Sequence, residues 1–150
     1  MPSEPGRPLY NLHAARDEEQ LAYMRSLEER AVCLFCRPVL LEDPLQTVSH
    51  VGTHWSVVAN RYPYAGTKTH QLLVPAEHVR AMHELSPSAR AAFLETLDLV
   101  VERDGLNDYG VGIRNGDPTM TAASIAHLHV HVFEPLPGAK IRMRFGPGDD

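Results

Sequence analysis

Ser124-Ile125-Ala126-His127-Leu128-His129-Val130-His131-Val132-Phe133-Glu134-Pro135 is the stretch around which the chain is organised. From His127 to His131, histidine alternates strictly with an apolar residue. Side chains on a strand point alternately to its two faces, so the alternation predicts a strand. The three histidines then share one face, and Leu128, Val130 and Val132 share the other. The apolar face calls for a core. The histidine face calls for chemistry, because an imidazole is costly to bury without a partner.

One metal ion cannot use the whole row. Positions 127 and 131 of a straight strand stand about 13 Å apart, at roughly 3.3 Å per residue. Zinc ligands sit only about 2 Å from the ion. The histidines therefore do separate jobs, although two adjacent members can share an ion. The plainer alternative is a strand that is merely rich in histidine.

The 150 residues suit one domain with a real core. A hydrophobic fraction of 43% is ordinary for a globular protein. The net charge of -5 argues against a general nucleic-acid or anionic-membrane binder, though it leaves room for a local positive pocket. The opening Met-Pro-Ser-Glu-Pro does not read as a signal peptide, and no apolar run approaches a membrane span. Two cysteines three positions apart are not a disulfide framework. The expectation is a cytoplasmic, reduced protein.

Residues 1–16 are rich in proline and polar groups and read as an extended arm. Residues 17–31 read as a helix capped by Asp17, with Leu21, Met24, Leu27 and Ala31 as its apolar stripe. Cys33-Leu34-Phe35-Cys36 follows. Two thiolates at this spacing can hold one zinc, which needs two further ligands; a redox pair or two buried thiols are the alternatives. Residues 38–46, with Pro38 and Pro44, read as a loop. Thr47–Thr53 and His54–Asn60 read as strands joined at Gly52, with His50 and His54 as packing or surface residues. Thr69–Val74 is a buried strand bounded by Pro75. The strongest helix runs from Ser86 or Ser88 to Leu106, with Ala92, Phe93, Leu97, Val100 and Val101 on its apolar face and Gly105 at its end. Tyr109–Arg114 reads as a strand, Asn115–Pro118 as a turn, and 141–145 as a short strand in the tail.

Residues 127–133 resemble the signature of the histidine triad family: His-apolar-His-apolar-His followed by two apolar residues. A second motif is similar too, with His70 opening a strand that ends in Pro75-Ala76-Glu77-His78. The resemblance spans about Ala31 to Pro135. It implies an α+β domain over 17–135: an antiparallel sheet of about five strands, a main helix packed on it, and an N-terminal helix. Residues 136–150 form a tail.

In zinc-bearing members, the cysteine pair is joined by the last histidine of Pro-x-x-His and the first of the triad. That implies a structural zinc on Cys33, Cys36, His78 and His127. The resemblance makes His129 the nucleophile toward the α-phosphate of a nucleotide, with His131, His70 and Ser124 holding the phosphate. Asn60 and Asn115 match nucleotide-binding positions, and Leu34–Phe35 and Thr53–Val58 are candidate walls for the base. A neutral imidazole is a competent nucleophile near pH 7, provided one ring nitrogen donates elsewhere and the other keeps its lone pair. Attack on phosphorus gives a nucleotidyl-histidine that a second nucleophile resolves.

One departure stands out. Ala122-Ala123 replaces the Gly-Gln that precedes the Ser/Thr in many members, and Ala123 has no group to offer the leaving group. The expected activity is a nucleotide hydrolase or nucleotidyl transferase on a purine nucleotide or its conjugate: a phosphoramidate, dinucleoside polyphosphate or related ester. A nucleotide-binding module with weak turnover is the second reading, and a zinc-stabilised interaction protein the third. The family also implies a homodimer.

Overall fold

The computed structural model describes residues 7–149. Its centre is an antiparallel sheet of β1 (Val48–Val51), β2 (Trp55–Ala59), β3 (Thr67–Pro75), β4 (Gly110–Ile113) and β5 (Val130–Pro135). The strands lie in the order β1-β2-β3-β5-β4. Gly52 turns the chain between β1 and β2, and its N–H donates to the Trp55 carbonyl at 2.8 Å. The expected α+β architecture with five strands is present.

Four helices accompany the sheet among the described residues: α1 (Glu18–Glu29), α2 (Arg37–Glu42), α3 (Pro87–Asp104) and the single turn α4 (Pro118–Thr121). Asp17 caps α1 by accepting from the Gln20 N–H. Ser86 caps α3 by accepting from Ala89 N–H, and Gly105 closes it in the left-handed conformation at φ 62°.

Period-two patterning on β3 and β5 gives the sheet two unlike faces. Leu73, Val130 and Val132 face α3, where they join Trp55, Val57, Val100 and Leu128 in one core. The Trp55 indole N–H anchors α3 by donating to the Ala89 carbonyl at 2.7 Å. Leu72 and Val74 face the other way and join Met24, Leu27, Phe35 and Leu40 in a second core. His70 and His131 lie on this second face. Leu72 pairs with His131 and His70 with Phe133, so the two histidines are diagonal neighbours on adjacent strands.

Several expectations need correction. The triad strand begins at Val130, so of the alternating run from His127 only Val130 and His131 lie in it. Its partner β3 ends at Pro75, which has no N–H to continue the ladder, and the chain before Val130 turns elsewhere: Leu128 N–H donates to Val79 O and Ala126 N–H to Leu9 O. Residues 37–42 form α2 rather than loop, because Pro38 fits the first turn of a helix. The α1 stripe uses Gln20, Met24 and Leu27; Ala31 lies beyond the helix at φ 54° and is exposed.

The 141–145 segment makes no strand pairing. It lies on the sheet beside β4, with Met143 where a Cβ at Gly112 would sit. The expected arm 1–16 falls partly outside the described residues. From residue 7 onward it is docked: Leu9 and Tyr10 are buried, and Tyr10 bridges to Ile125. No described helix is long and apolar enough to cross a membrane.

Candidate active site

Three separate segments bring Cys33, Cys36, His78 and His127 together, with their donor atoms all within 4.8 Å of one another. Cys33 Sγ is 3.4 Å from His127 Nδ1, and Cys36 Sγ is 3.3 Å from His78 Nδ1 and 3.8 Å from His127 Nδ1. The two imidazole Nδ1 atoms are 3.2 Å apart. Bonds of about 2.0–2.3 Å at tetrahedral angles put neighbouring donors roughly 3.3–3.8 Å apart, close to these four distances, so the cluster could hold a four-coordinate zinc once its widest pair closes in. His127 Nε2 lies 2.9 Å from the Pro75 carbonyl. Nε2–H donates there, which leaves the Nδ1 lone pair for a metal. The Cys36 thiol is held far below its ordinary range, first by the hydrogen bond with Cys33 and then by the His127 and His78 rings. Cys33 is pushed up by that same bond and by burial.

The next two triad residues take different partners. His129 Nδ1 is 2.8 Å from the His127 carbonyl, which can only accept. Nδ1 therefore carries the proton, and Nε2 carries a lone pair. His70 Nδ1 accepts from the Tyr64 backbone N–H at 3.1 Å. Its proton is then on Nε2, which donates 2.9 Å to His131 Nδ1. That places the His131 proton on Nε2, a buried donor with no partner among the described residues. The backbone thus fixes three tautomers in sequence and leaves one nucleophilic nitrogen and one unused donor.

These rings are neutral. Burial lowers His129 to about 4, with the charges of His127 and Arg114 adding to it. Burial, then Arg16, His129 and Arg114, lower His70 to about 3. His131 is pushed well below its usual value by burial and by the neighbouring histidines and arginines. Phe35 packs edge-on against His129 at 5.1 Å, and Tyr64 stacks on His131 at 5.4 Å and 18°.

His129 and His131 line a cleft of about 1070 Å³, and Ser124, Asn60 and Ala122 line it with them. Asn60 Nδ2 lies 3.2 and 3.4 Å from the two nitrogens of His70. Leu34 and Phe35 form part of the wall; the 53–58 run does not. Asn115 is not a cleft residue: its Oδ1 accepts from Met82 N–H at 2.8 Å.

Residues 46–137 match the model of the HIT domain. The chain belongs to the HIT family. The HIT domain here therefore belongs to a superfamily of nucleotide hydrolases and transferases. It is 28% identical over 115 residues to the adenosine 5'-monophosphoramidase of Schizosaccharomyces pombe, covering 76% of this chain and 81% of that one. Solved HIT folds resemble it as well. A zinc-bound histidine triad protein from Mycobacterium smegmatis superposes with a TM-score of 0.56 at 19% identity, covering 79% of this chain and 85% of that one. A HIT family hydrolase from Legionella pneumophila gives 0.55 at 20% identity, covering 78% and 100%.

Sequence reading did not single out Tyr64, Arg16 or Arg114. Arg114 donates to the Tyr64 hydroxyl at 2.8 Å, and Arg16 stacks over the Tyr64 ring at 4.8 Å. The only signal for Tyr64 was its place in Asn60-Arg61-Tyr62-Pro63-Tyr64.

Proposed function

We propose that this HIT domain hydrolyses or transfers nucleoside monophosphoryl groups through a covalent intermediate on His129. The observation that carries the reading is the 2.8 Å contact between His129 Nδ1 and the His127 carbonyl, which commits Nε2 to a lone pair at the cleft wall. Nε2 attacks the α-phosphorus of a purine nucleotide or conjugate. The Nε2–P bond forms, and the bond to the leaving group breaks with its electron pair departing on that group. Water then attacks the phosphorus, the Nε2–P bond breaks, and its pair returns to the ring. Nucleoside monophosphate leaves, and the surplus proton passes to solvent.

The unused Nε2–H of His131 supplies a fixed donor to a non-bridging oxygen. His70 holds His131 in that tautomer and is a positioning residue. Ser124 adds a hydroxyl at the phosphate, and Asn60 a polar contact to the ribose. Asn115, turned to Met82, is left out of this set.

Zinc on Cys33, Cys36, His78 and His127 would be structural, a closed site with no open position. Its contribution is to tie the segment carrying Phe35, which packs on His129, to the sheet. We also propose a cytoplasmic homodimer, on the family resemblance.

A nucleotide-binding module with weak turnover is favoured by one feature, the buried Ala123, which has no side-chain donor for a leaving group. Release of nucleoside monophosphate from an adenosine phosphoramidate, a guanosine phosphoramidate and a dinucleoside tetraphosphate separates the two. Turnover abolished by His129→Ala, with folding and nucleotide binding intact, supports the enzyme. Binding without turnover in the wild type supports the module.

A further inference from the structure

The Nε2–H of His131 serves a phosphate only as well as it is aimed, because a hydrogen bond weakens steeply when the donor turns away from the acceptor. Aiming a planar ring takes two contacts, one that fixes an atom and one that fixes the plane. His70 makes the first, donating from Nε2 to His131 Nδ1 at 2.9 Å. That bond alone leaves the imidazole free to tilt about the line joining the two nitrogens.

Tyr64 makes the second. Among the described residues, three rings lie against His131: His129 at 4.9 Å and 57°, His70 at 5.1 Å and 49°, and Tyr64 at 5.4 Å and 18°. Only the phenol is near parallel to the imidazole. Such a stack resists tilting, since rotation drives one edge of the imidazole into the phenol and opens a gap at the other. Tyr64 also meets the second member of the relay. Its backbone N–H donates to His70 Nδ1 at 3.1 Å, and its ring packs edge-on against His70 at 4.6 Å. One residue therefore sets the tautomer of His70 through its main chain and the plane of His131 through its side chain.

Tyr64 is held in its turn. It is buried, and its carbonyl accepts from the Thr67 N–H at 3.3 Å and from the Thr67 hydroxyl at 2.8 Å. Arg114 donates to its hydroxyl at 2.8 Å, and Arg16 lies over its ring at 4.8 Å. Arg114 is itself anchored, with Nε and Nη2 donating to the Arg144 carbonyl at 2.9 and 2.7 Å. The backbone, the tip and a face of this residue are each fixed by a different segment of the chain.

We propose that Tyr64 is a positioning residue for nucleotidyl transfer: its ring holds the His131 imidazole in the plane that aims Nε2–H at the phosphate, and Arg114 holds Tyr64. The inference rests on the proposed transfer to His129, in which His131 stabilises charge on a non-bridging oxygen. The Tyr64 hydroxyl need not touch substrate in this role.

Three variants of the whole chain separate the ring, the hydroxyl and the anchor. Tyr64→Leu removes the plane, Tyr64→Phe keeps the plane without the hydroxyl, and Arg114→Met removes the anchor. The first readout is kcat and KM for AMP release from adenosine 5'-phosphoramidate and from diadenosine tetraphosphate. Tyr64→Leu should lose about 100-fold in kcat with KM nearly unchanged, the lower end of what loss of an oxyanion donor costs. Tyr64→Phe and Arg114→Met should each lose less than about tenfold, since the plane remains. The second readout is the order parameter of the His131 Cε1–H bond, from carbon relaxation by NMR in substrate-free protein. It should fall from about 0.85 to below about 0.6 in Tyr64→Leu. His129, held by the His127 carbonyl, should stay rigid. A general loss of stability would not single out one ring. Tyr64→Phe losing as much kcat as Tyr64→Leu overturns the proposal, because the hydroxyl would then be the working group. So does a folded Tyr64→Leu with kcat or the order parameter unchanged. Should Tyr64→Leu fail to fold, Arg114→Met with both quantities unchanged overturns it. If the wild type releases no AMP, transfer to His129 fails, and the order parameter alone decides whether Tyr64 holds the ring.

Discussion

Acidification should unfold this protein through its buried histidines, and His70 allows the effect to be isolated. Burial and the nearby Arg16 lower it from 6.5 to about 3. Between those values the unfolded chain binds a proton at position 70 and the folded chain does not. Stability therefore rises with pH across the window and is lost as pH falls below 6.5, with a slope of about 1.4 kcal/mol per unit for this one group. Two units below 6.5 the loss is about 2.7 kcal/mol, a large share of the roughly 5–15 kcal/mol that holds a domain folded. The perturbation is His70→Gln, in which the Gln amide can still donate to His131 but does not titrate. Urea unfolding at several values between pH 7 and 4.5 gives the slope for each protein. Protonation of the four Cys and His ligands occurs in both and cancels in the difference. The wild-type slope should be steeper by about 1.4 kcal/mol per unit. Equal slopes would mean that His70 takes up its proton in the folded state near its ordinary pKa, and the fixed His70–His131 tautomer would be refuted.

Other expectations concern single sites. Ala122 sits at φ 67°, where an L side chain costs about 1–2 kcal/mol, so Ala122→Gly should raise stability in urea by up to about 1 kcal/mol after glycine's entropic cost. Trp55→Phe removes the donor to the Ala89 carbonyl, buried under α3, and should cost about 1–3 kcal/mol in the same assay. Purified protein should carry one zinc per chain by elemental analysis. His78→Ala should reduce that stoichiometry and lower the melting temperature, and a chelator should lower the wild type's melting temperature.

The triad was legible because alternation is a local signal. Leu128, Val130 and Val132 reached the α3 core as the period of two requires. The four-ligand cluster was not legible from spacing, since Cys33 and His127 are 94 positions apart; the family resemblance brought it into view. The 38–42 part of the expected 38–46 loop was misread because two prolines suggest a loop, while Pro38 in a first turn suits a helix; 43–46 is loop as expected. In the tail, Lys140, Arg142 and Arg144 alternate with Ile141, Met143 and Phe145, which reads as a strand. Pairing depends on a neighbouring edge, and here the contact is instead a methionine over Gly112 and a carbonyl held by Arg114. Arg16 and Arg114 were invisible as site residues because Tyr64, to which both attach, marks its role only once the sheet is folded.

The most direct test of the account is the mass of the protein quenched during turnover of an adenylyl donor, with the modified residue located by peptide fragmentation. The account predicts an increment of one AMP unit on His129, present in the wild type and absent in His129→Ala. Turnover without any adduct on His129, or an adduct mapped to His70 or His131, would contradict it.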